Sequence, residues 1–280
     1  MGLEGNCLAT AIVHPVAVIM PQVESCKQVD ADRVLDYFRG EKVLEHYAQA
    51  TMTVGLWESE EKVFKRVFPD KEASLLELGC GCGRRSCGLW ELGYKNLMAS
   101  DFSRKMIERA RRIVRVLEYG LHLRVADATQ LPFEENLFDG AIFGFNGLMQ
   151  IPGRINRRKA MEEVYRVLRS GSYFVFTAHD RQAAKWKKFW NREKLIWRKG
   201  KQIPALLEFG DRFEETDMGK LYIHVPTRED VLADLRRVGF KLEVDVLRSQ
   251  LANEPLRVRE FSDECRFWIA RKPKTESSAG

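Results

Sequence analysis

The stretch from Ser74 to Gly83, SLLELGCGCG, decides the fold of this 280-residue chain. Its first six residues form a short apolar run that leads directly into glycines, which is typical of a buried strand entering a tight loop. The glycines allow a ligand to approach the backbone closely. A helical pattern follows the loop, and the N-terminus of a helix favours a negatively charged ligand group.

A carboxylate stands at the end of the next predicted strand. Asp101 closes a second apolar run, residues 97–101, and lies 22 residues after Gly79. A carboxylate in this position can accept hydrogen bonds from both hydroxyls of a ribose. The two segments together predict a nucleotide-type binding site at the switch point of a doubly wound sheet.

Strands and helices alternate through the middle of the chain. We predict strands at 122–126, 138–145 and 173–178, and amphipathic helices at 103–118 and 157–168. This alternation predicts an α/β fold, doubly wound, with a mainly parallel sheet.

The alternation stops over residues 179–224 and then resumes. Thr227 caps a helix that Gly239 ends, and strands follow at 240–247 and 267–270. Residues 30–68, ahead of the first strand, have the apolar spacing of helices.

The spacing of the glycines separates two classes of nucleotide site. A loop that binds NAD spaces them as G-x-G-x-x-G, whereas this loop reads G-x-G-x-G after Glu77. The pattern resembles motif I of the class I methyltransferases, which use S-adenosylmethionine (SAM). Three later segments resemble the same family in the same order: 99–103 its ribose-binding strand end, 127–139 its adenine loop and fourth strand, and 166–171 the turn before its fifth strand. Ser170 replaces the more usual proline of that turn.

The resemblance covers residues 75–179 well and the last two strands loosely. It implies a seven-stranded sheet whose last strand is antiparallel. It also implies SAM as cofactor, with S-adenosylhomocysteine as its product.

The resemblance further implies a role for each matching position. The glycine loop lies under the methionine part of SAM, Glu77 orients that loop or the amino group, and Asp101 binds the ribose. Aromatic and acidic residues after the second and third strands border the adenine, and the residues after the fourth strand face the methyl group. The implied cofactor-binding residues are Glu77, Gly79, Cys80, Gly81, Gly83, Asp101, Phe102, Asp127, Ala128, Phe145 and Asn146.

The substrate is expected at the same edge, because ligands of doubly wound sheets bind at the carboxyl ends of the strands. We interpret residues 180–225 as an inserted lid over the substrate pocket, with Trp186 and Trp190 among its walls. Tyr47 and Met149 are the other candidate substrate contacts. Core packing is the alternative explanation of the aromatic stripe in the insert.

Two polar residues follow the fifth strand. His179 and Asp180 are therefore the candidate general bases for a nucleophile that carries a proton. Four cations within 154–159 begin a predicted helix, where they oppose the helix dipole. Either an anionic ligand compensates them or acidic side chains do, and we favour Glu162 and Glu163 in that role.

The positive charge of the chain is local. Lys and Arg number 46 against 40 Asp and Glu, a net charge of +6, and residues 181–202 alone hold nine basic residues and one acidic residue. A nucleic-acid binder spreads its basic residues along a surface, so this segment does not by itself indicate one.

The cysteines of the glycine loop are not spaced as metal ligands. Cys80 and Cys82 are separated by one residue and have no second pair, so we expect no metal. The apolar run 7–23 lacks the basic start of a secretory signal and is too interrupted to span a membrane. We therefore expect a reduced, cytoplasmic protein without a membrane partner.

The sequence thus predicts flexible tails at 1–27 and 273–280, a helical cap at 28–73 and a SAM-binding domain at 74–272. The favoured function is transfer of a methyl group from SAM to an N, O or S atom of a small molecule. An RNA methyltransferase of the tRNA wobble-uridine type and a SAM-binding protein without catalysis stay open as alternatives. A nucleic-acid partner is not favoured, because no separate RNA-binding domain is visible, and the sequence does not indicate the oligomeric state.

Overall fold

The computed structural model describes residues 27–274. Within them, the strands are β1 (Leu75–Leu78), β2 (Leu97–Asp101), β3 (His122–Val125), β4 (Phe138–Phe143), β5 (Leu168–Ala178), β6 (Asp211–Thr216), β7 (Gly219–His224), β8 (Lys241–Leu247) and β9 (Arg266–Arg271). Seven of these form one sheet in the order β3-β2-β1-β4-β5-β9-β8, and β6 and β7 form a separate two-stranded sheet.

The helices cover both faces of the large sheet. They are α1 (Ala31–Phe38), α2 (Glu41–Thr53), α3 (Glu58–Val67), α4 (Arg84–Glu91), α5 (Arg104–Val116), α6 (Arg154–Val167), α7 (Lys187–Arg198), α8 (Arg228–Val238), α9 (Arg248–Leu251) and α10 (Leu256–Phe261). Short 3₁₀ turns occupy Gly147–Gln150 and Ala184–Trp186. Over residues 27–274, no helix combines the length and apolar character needed to cross a bilayer.

The strand pairing confirms the predicted fold. Strands β1 to β5 pair in parallel, whereas β9 runs antiparallel to both β5 and β8. The last strand is therefore the antiparallel one. Because β1 pairs with β2 on one side and β4 on the other, the loops after β1 and β4 diverge and leave a cleft at the sheet edge.

The central strand is buried on both faces. All four residues of β1 are buried. Leu76 and Leu78 pack in a core cluster that contains Met161 of α6, and Leu75 packs in a second cluster with Phe64 of α3. This double coverage explains why β1 is a continuous apolar run rather than an alternating one.

The N-terminal helices cover the loop that follows β1. Helix α2 packs against α4 and α5. Its Val43 and Leu44 share a cluster with Cys82 and with Met106 of α5. The predicted helical cap is thus placed over the glycine loop.

Some predicted boundaries were wrong. Helix α6 starts at Arg154, three residues before the predicted start, and β5 starts at Leu168 rather than at 173. Leu168 is fully buried and pairs with Phe138, so it extends the strand where a helix end was expected.

The insert contains a hairpin that its pattern did not indicate. Helix α7 is followed by β6 and β7, which pair in antiparallel fashion from Asp211 and His224 to Thr216 and Gly219. The predicted tails, 1–27 and 273–280, lie outside the described residues except at their inner ends.

Candidate functional site

The loop after β1 requires glycine at its first position. Gly79 has φ +61°, a left-handed conformation, and a Cβ atom there would lie 2.8 Å from Cε2 of Phe143. Gly81 and Gly83 also have positive φ, +55° and +94°. Gly83 is the N-cap of α4, so the loop ends at a helix N-terminus as the sequence predicted.

The carboxylate of Asp101 holds this loop. The backbone N–H of Gly81 donates to Oδ2 at 2.9 Å, and that of Ser103 donates to Oδ1 at 2.7 Å. Burial raises the pKa of Asp101 to about 6, although both backbone donors pull it down. A carboxylate oxygen can accept more than one hydrogen bond, so Asp101 can also accept from a ribose.

Loop and carboxylate open onto a cavity of about 260 Å³. Eight of the predicted site residues line it: Tyr47, Gly79, Gly81, Asp101, Phe102, Asp127, Ala128 and Phe145. The bare backbone of the glycines, the ribose-type carboxylate and the aromatic ring of Phe102 are together suited to the adenosine and methionine parts of SAM.

The structure does not bring the other predicted residues to this cavity. They are Glu77, Cys80, Gly83, Asn146, Met149, His179, Asp180, Trp186 and Trp190, none of which is among its lining residues. Gly83 lies at the start of α4, and burial raises the pKa of the Cys80 thiol well above its usual value.

Glu77 is enclosed by protein. It is fully buried, its Oε1 lies 2.9 Å from Nε of Arg85, and its Oε2 accepts a hydrogen bond from Ser86. Burial raises the pKa of Glu77, and Arg85 opposes the rise. Of its two predicted roles, the geometry supports orienting the loop and not contacting an amino group.

The loop after β3 forms the far end of the cavity. Thr129 donates both its N–H and its hydroxyl to Oδ1 of Asp127, at 2.8 Å each. This turn holds Ala128 at the cavity, which the exposed ring of Phe102 also lines. The loops after β2 and β3 therefore border the same cavity.

Aromatic rings form the wall nearest the loop after β4. The ring of Tyr47 meets that of Phe145 edge to face, with 6.1 Å between centroids, and lies 6.1 Å from that of Phe38. Val34 and Phe38 of α1 line the cavity and were missed in the sequence. Their spacing had signalled only an amphipathic helix, which does not reveal what its apolar face covers.

The candidate bases are engaged within the protein. Nδ1 of His179 lies 2.8 Å from the carbonyl oxygen of Glu264, and Nε2 lies 3.0 Å from Nδ2 of Asn146. Asp180 accepts from Arg266 at 3.1 Å and from the N–H of Gln182 at 2.8 Å. Neither arrangement presents a free base to the cavity.

The aromatic residues of the insert pack inward. Trp190 is buried, meets Phe209 edge to face at 5.9 Å, and belongs to the main core cluster. Trp186 packs against the same cluster, and Met149 is one of its buried members. The alternative interpretation of the aromatic stripe, core packing, therefore applies to these side chains.

Acids from distant elements compensate the cations at the start of α6. Arg154 and Arg158 both pair with Asp234 of α8, and Arg157 donates to Glu208 at 2.7 Å. The expectation that Glu162 and Glu163 would do so was wrong for Glu163, which pairs with Arg166. Sequence spacing could not reveal these partners, because they come from α8 and the insert.

The same residues anchor the insert around a second cavity of about 280 Å³. Asp211, at the start of β6, is buried and accepts four hydrogen bonds, from Tyr222, His224 and the N–H groups of Leu207 and Glu208. Burial lowers the pKa of His224. Glu208, Asp211 and His224 bring potential metal ligands within 4.8 Å of one another, but protein groups already occupy the two carboxylates.

Comparison with known proteins gives a family for the central part of the chain. A family model described as a methyltransferase domain matches residues 76–176. A demethylmenaquinone methyltransferase of Clavibacter sepedonicus is 33% identical over 111 residues, 40% of this chain and 43% of the relative. An O-methyltransferase of Pyrenophora dematioidea is 31% identical over 136 residues, 42% of this chain and 49% of the relative. The chain thus spans less than half the length of these curated relatives.

Solved structures share the fold. A SAM-dependent methyltransferase from Methanosarcina mazei superimposes with a TM-score of 0.61 at 19% identity, over 76% of this chain and 98% of that one. The [4+2]-cyclase SpnF superimposes with a TM-score of 0.64 at 18% identity, over 89% of this chain and 99% of that one. At these identities the likeness concerns the fold alone, and the second protein is named for a cyclisation.

The family match and the geometry coincide in the chain. Residues 76–176 run from β1 to β5 and include the loops after β1, β2, β3 and β4, which border the cavity. The sheet has the seven strands and the antiparallel last strand that the motif resemblance implied. Residues 76–176 therefore match a methyltransferase domain, and the chain has the fold of the class I methyltransferases.

Proposed function

We propose that this protein transfers the methyl group of SAM to a hydroxyl oxygen of a small, largely apolar molecule. The lining of the 260 Å³ cavity carries the proposal. Away from the glycine loop, its side chains are mainly apolar or aromatic: Ala31, Val34, Phe38, Met106, Phe145, Ile151 and Pro152. Among the described lining residues there is no Lys, Arg or His.

In this proposal the cofactor occupies the end of the cavity beside the glycines. Gly79 and Gly81 present bare backbone to its methionine part, and Asp101 accepts from the ribose hydroxyls. Phe102, Asp127 and Ala128 enclose the adenine. SAM supplies an activated methyl group on a sulfonium that is also its own leaving group.

The chain's contribution is then alignment and exclusion of water. The aromatic wall of Phe38, Tyr47 and Phe145 separates the cavity from solvent on the side of the helical cap. Asp101 and Asp127 are the acids that line the described cavity, and both lie at the nucleoside end. An acceptor that ionises readily by itself, such as a phenolic or enolic hydroxyl, needs no further base.

The known proteins support a small-molecule substrate. The two curated relatives are named for demethylmenaquinone methylation and for O-methylation. An RNA substrate would call for cations along the substrate path, and the basic residues of α7 are not among those that line the cavity.

We also propose a cytoplasmic setting. The four described cysteines, Cys80, Cys82, Cys87 and Cys265, are free, as is usual for proteins of a reducing compartment.

Calorimetric titration tests the cofactor, with NADH as the control ligand. We expect saturable binding of SAM and S-adenosylhomocysteine and none of NADH. Transfer of labelled methyl from SAM is then measured on phenols and quinols, with amines, thiols and total tRNA as competing classes. Labelling of tRNA alone would favour the RNA alternative, and binding without transfer to any acceptor class would favour a non-catalytic protein.

A further inference from the structure

A buried ion pair lies directly beneath the cofactor loops. Glu77 is fully buried in β1, and Arg85, in the first turn of α4, is 3% exposed. Oε1 of Glu77 lies 2.9 Å from Nε of Arg85. The hydroxyl of Ser86 donates to the other carboxylate oxygen, so one oxygen is held by a hydrogen bond and the other faces Arg85 at ion-pair distance.

The guanidinium of Arg85 contacts two of the loops that border the cavity, those after β1 and β4. Its Nη2 donates to the carbonyl oxygen of Gly79 at 3.1 Å, in the loop after β1. Its Nε and Cζ lie 3.0 and 3.1 Å from where a Cβ of Gly144 would stand, so it packs flat against the loop after β4. Gly79 and Gly144 both line the cavity.

The position of Arg85 is costly without a function or a partner. A cation in the first turn of a helix opposes the helix dipole, and a buried cation requires compensation. The neighbouring Arg84 carries the same two costs, but a different acid compensates it. Both of its Nη atoms donate to the carboxylate of Glu60 in α3, at 2.7 and 2.6 Å. The guanidinium of Arg84 donates to Glu60 and to the carbonyl oxygen of Gly55, and within residues 27–274 no hydrogen bond joins it to Gly79 or Gly144.

We propose that Arg85, oriented by Glu77, is a positioning residue that holds the two cofactor loops at a fixed separation, and that Glu77 cancels the positive charge that Arg85 would otherwise present to the sulfonium of SAM. This inference rests on the proposed function, because it takes SAM and S-adenosylhomocysteine as the ligands of the cavity.

The charges of the pair reach the residues of the cavity. Burial is the main cause of the raised pKa of Asp101, Glu77 adds to the rise and Arg85 opposes it, so both charges act on a group that lines the cavity. Burial raises the pKa of Tyr47, another cavity residue, and Arg85 opposes that rise. An uncompensated charge on Glu77 or Arg85 would therefore change the affinity for a charged ligand in the cavity.

SAM and S-adenosylhomocysteine form a natural pair of probes, since they differ by one methyl group and one positive charge. In Glu77→Gln the charge of Arg85 is uncompensated. We expect the affinity for SAM to fall about tenfold more than that for S-adenosylhomocysteine, measured by calorimetry.

Arg85→Lys separates positioning from charge. Lysine keeps the charge but cannot reproduce the planar fork that serves Glu77 and Gly79 together. We expect the affinities for both ligands to fall by a similar factor. Arg84→Lys is the matched control, a buried cation of the same turn with its own carboxylate, and it should bind both ligands as the wild type does even where thermal unfolding shows a loss of stability.

An unchanged affinity ratio in a folded Glu77→Gln variant would overturn the cancellation of charge. Arg85→Lys binding both ligands like Arg84→Lys would overturn the positioning role, and this comparison decides the proposal if Glu77→Gln does not fold. A wild-type protein that binds neither ligand would instead overturn the proposed function, so the two failures are distinguishable.

Discussion

The side-chain amide nitrogen of Asn146 lies 3.0 Å from Nε2 of His179. Because Nδ1 of the same ring faces the carbonyl oxygen of Glu264 at 2.8 Å, Nδ1 must carry the proton and Nε2 must accept from Asn146. Burial lowers the pKa of His179 and keeps the ring neutral. The lone pair that a general base would use is therefore already occupied.

The hydrogen bond between Asn146 and His179 supports an unusual backbone turn at Phe145 and Asn146. Phe145 and Asn146 have φ of +52° and +57°, a left-handed pair of non-glycine residues that is strained without support. The N–H of Asn146 donates to Oγ1 of Thr177 at 3.0 Å, and His179 holds its side chain. The pair thus fixes the turn that places Phe145 against the cavity.

Replacing His179 should therefore lower the stability of the protein without removing a catalytic base. We expect His179→Phe to lose about 1–3 kcal/mol of unfolding free energy, because Asn146 and the Glu264 carbonyl lose a buried partner. The pH dependence of kcat should keep its shape in His179→Gln. Loss of one limb of the pH–rate profile in a variant of normal stability would identify His179 as a base after all.

Gly79 should be irreplaceable for two separable reasons. In Gly79→Ala, the left-handed φ costs roughly 1–2 kcal/mol, and the new methyl group meets the ring of Phe143. Gly200→Ala is the matched control, because Gly200 has a φ of +63° and nothing within 4 Å of its Cβ position. Denaturation should show a larger loss for Gly79→Ala, and only that variant should lose SAM binding. Equal losses in the two variants would mean that strain alone acts.

The affinity for SAM should depend on pH through Asp101. Burial raises the pKa of Asp101 to about 6, and only the ionised carboxylate accepts hydrogen bonds at both oxygens. The dissociation constant for SAM should therefore rise about tenfold between roughly pH 7 and pH 5. Asp101→Asn should bind more weakly with a flat profile over this range, and a pH dependence that survives in this variant would assign the effect to another group.

The cofactor end of this site could be predicted from sequence because it is local. The loop from Gly79 to Gly83 and the carboxylate of Asp101 carry their signals in residue type and spacing, and the structure brings them together as expected. Parallel strands on either side of a switch point meet at one edge, so chain order alone places the loops.

The substrate end could not be predicted, because it depends on packing between distant elements. The insert has the aromatic pattern of a pocket wall, yet Trp190 turns into the core. The walls that line the cavity include Val34 and Phe38, which lie more than 40 residues upstream of the glycine loop. The spacing of apolar residues predicts that one face of a helix is buried, but it does not identify the element that packs against that face.

The hairpin of the insert should depend on one buried acid. Asp211→Asn replaces an oxygen that accepts from two backbone N–H groups by an amide that can also donate, and removes the charge. We expect a loss of about 3–5 kcal/mol in unfolding free energy, measured by chemical denaturation. Asp217→Asn, at the exposed turn of the same hairpin, is the control and should change little. Similar losses at both positions would show that the buried network contributes nothing specific.

The basic face of α7 distinguishes the small-molecule function from the RNA alternative. Lys187, Lys188, Lys194 and Lys199 are exposed, and none of them forms an ion pair among the described residues. If the substrate is a small apolar molecule, replacing all four by Gln should leave SAM binding and methyl transfer unchanged, with only a weak dependence on salt. Binding of phosphate backbones by these lysines would instead make substrate affinity fall steeply with salt in the wild type and less steeply in the variant. Arg112→Gln with Arg115→Gln, on the exposed face of α5, controls for the general loss of positive charge.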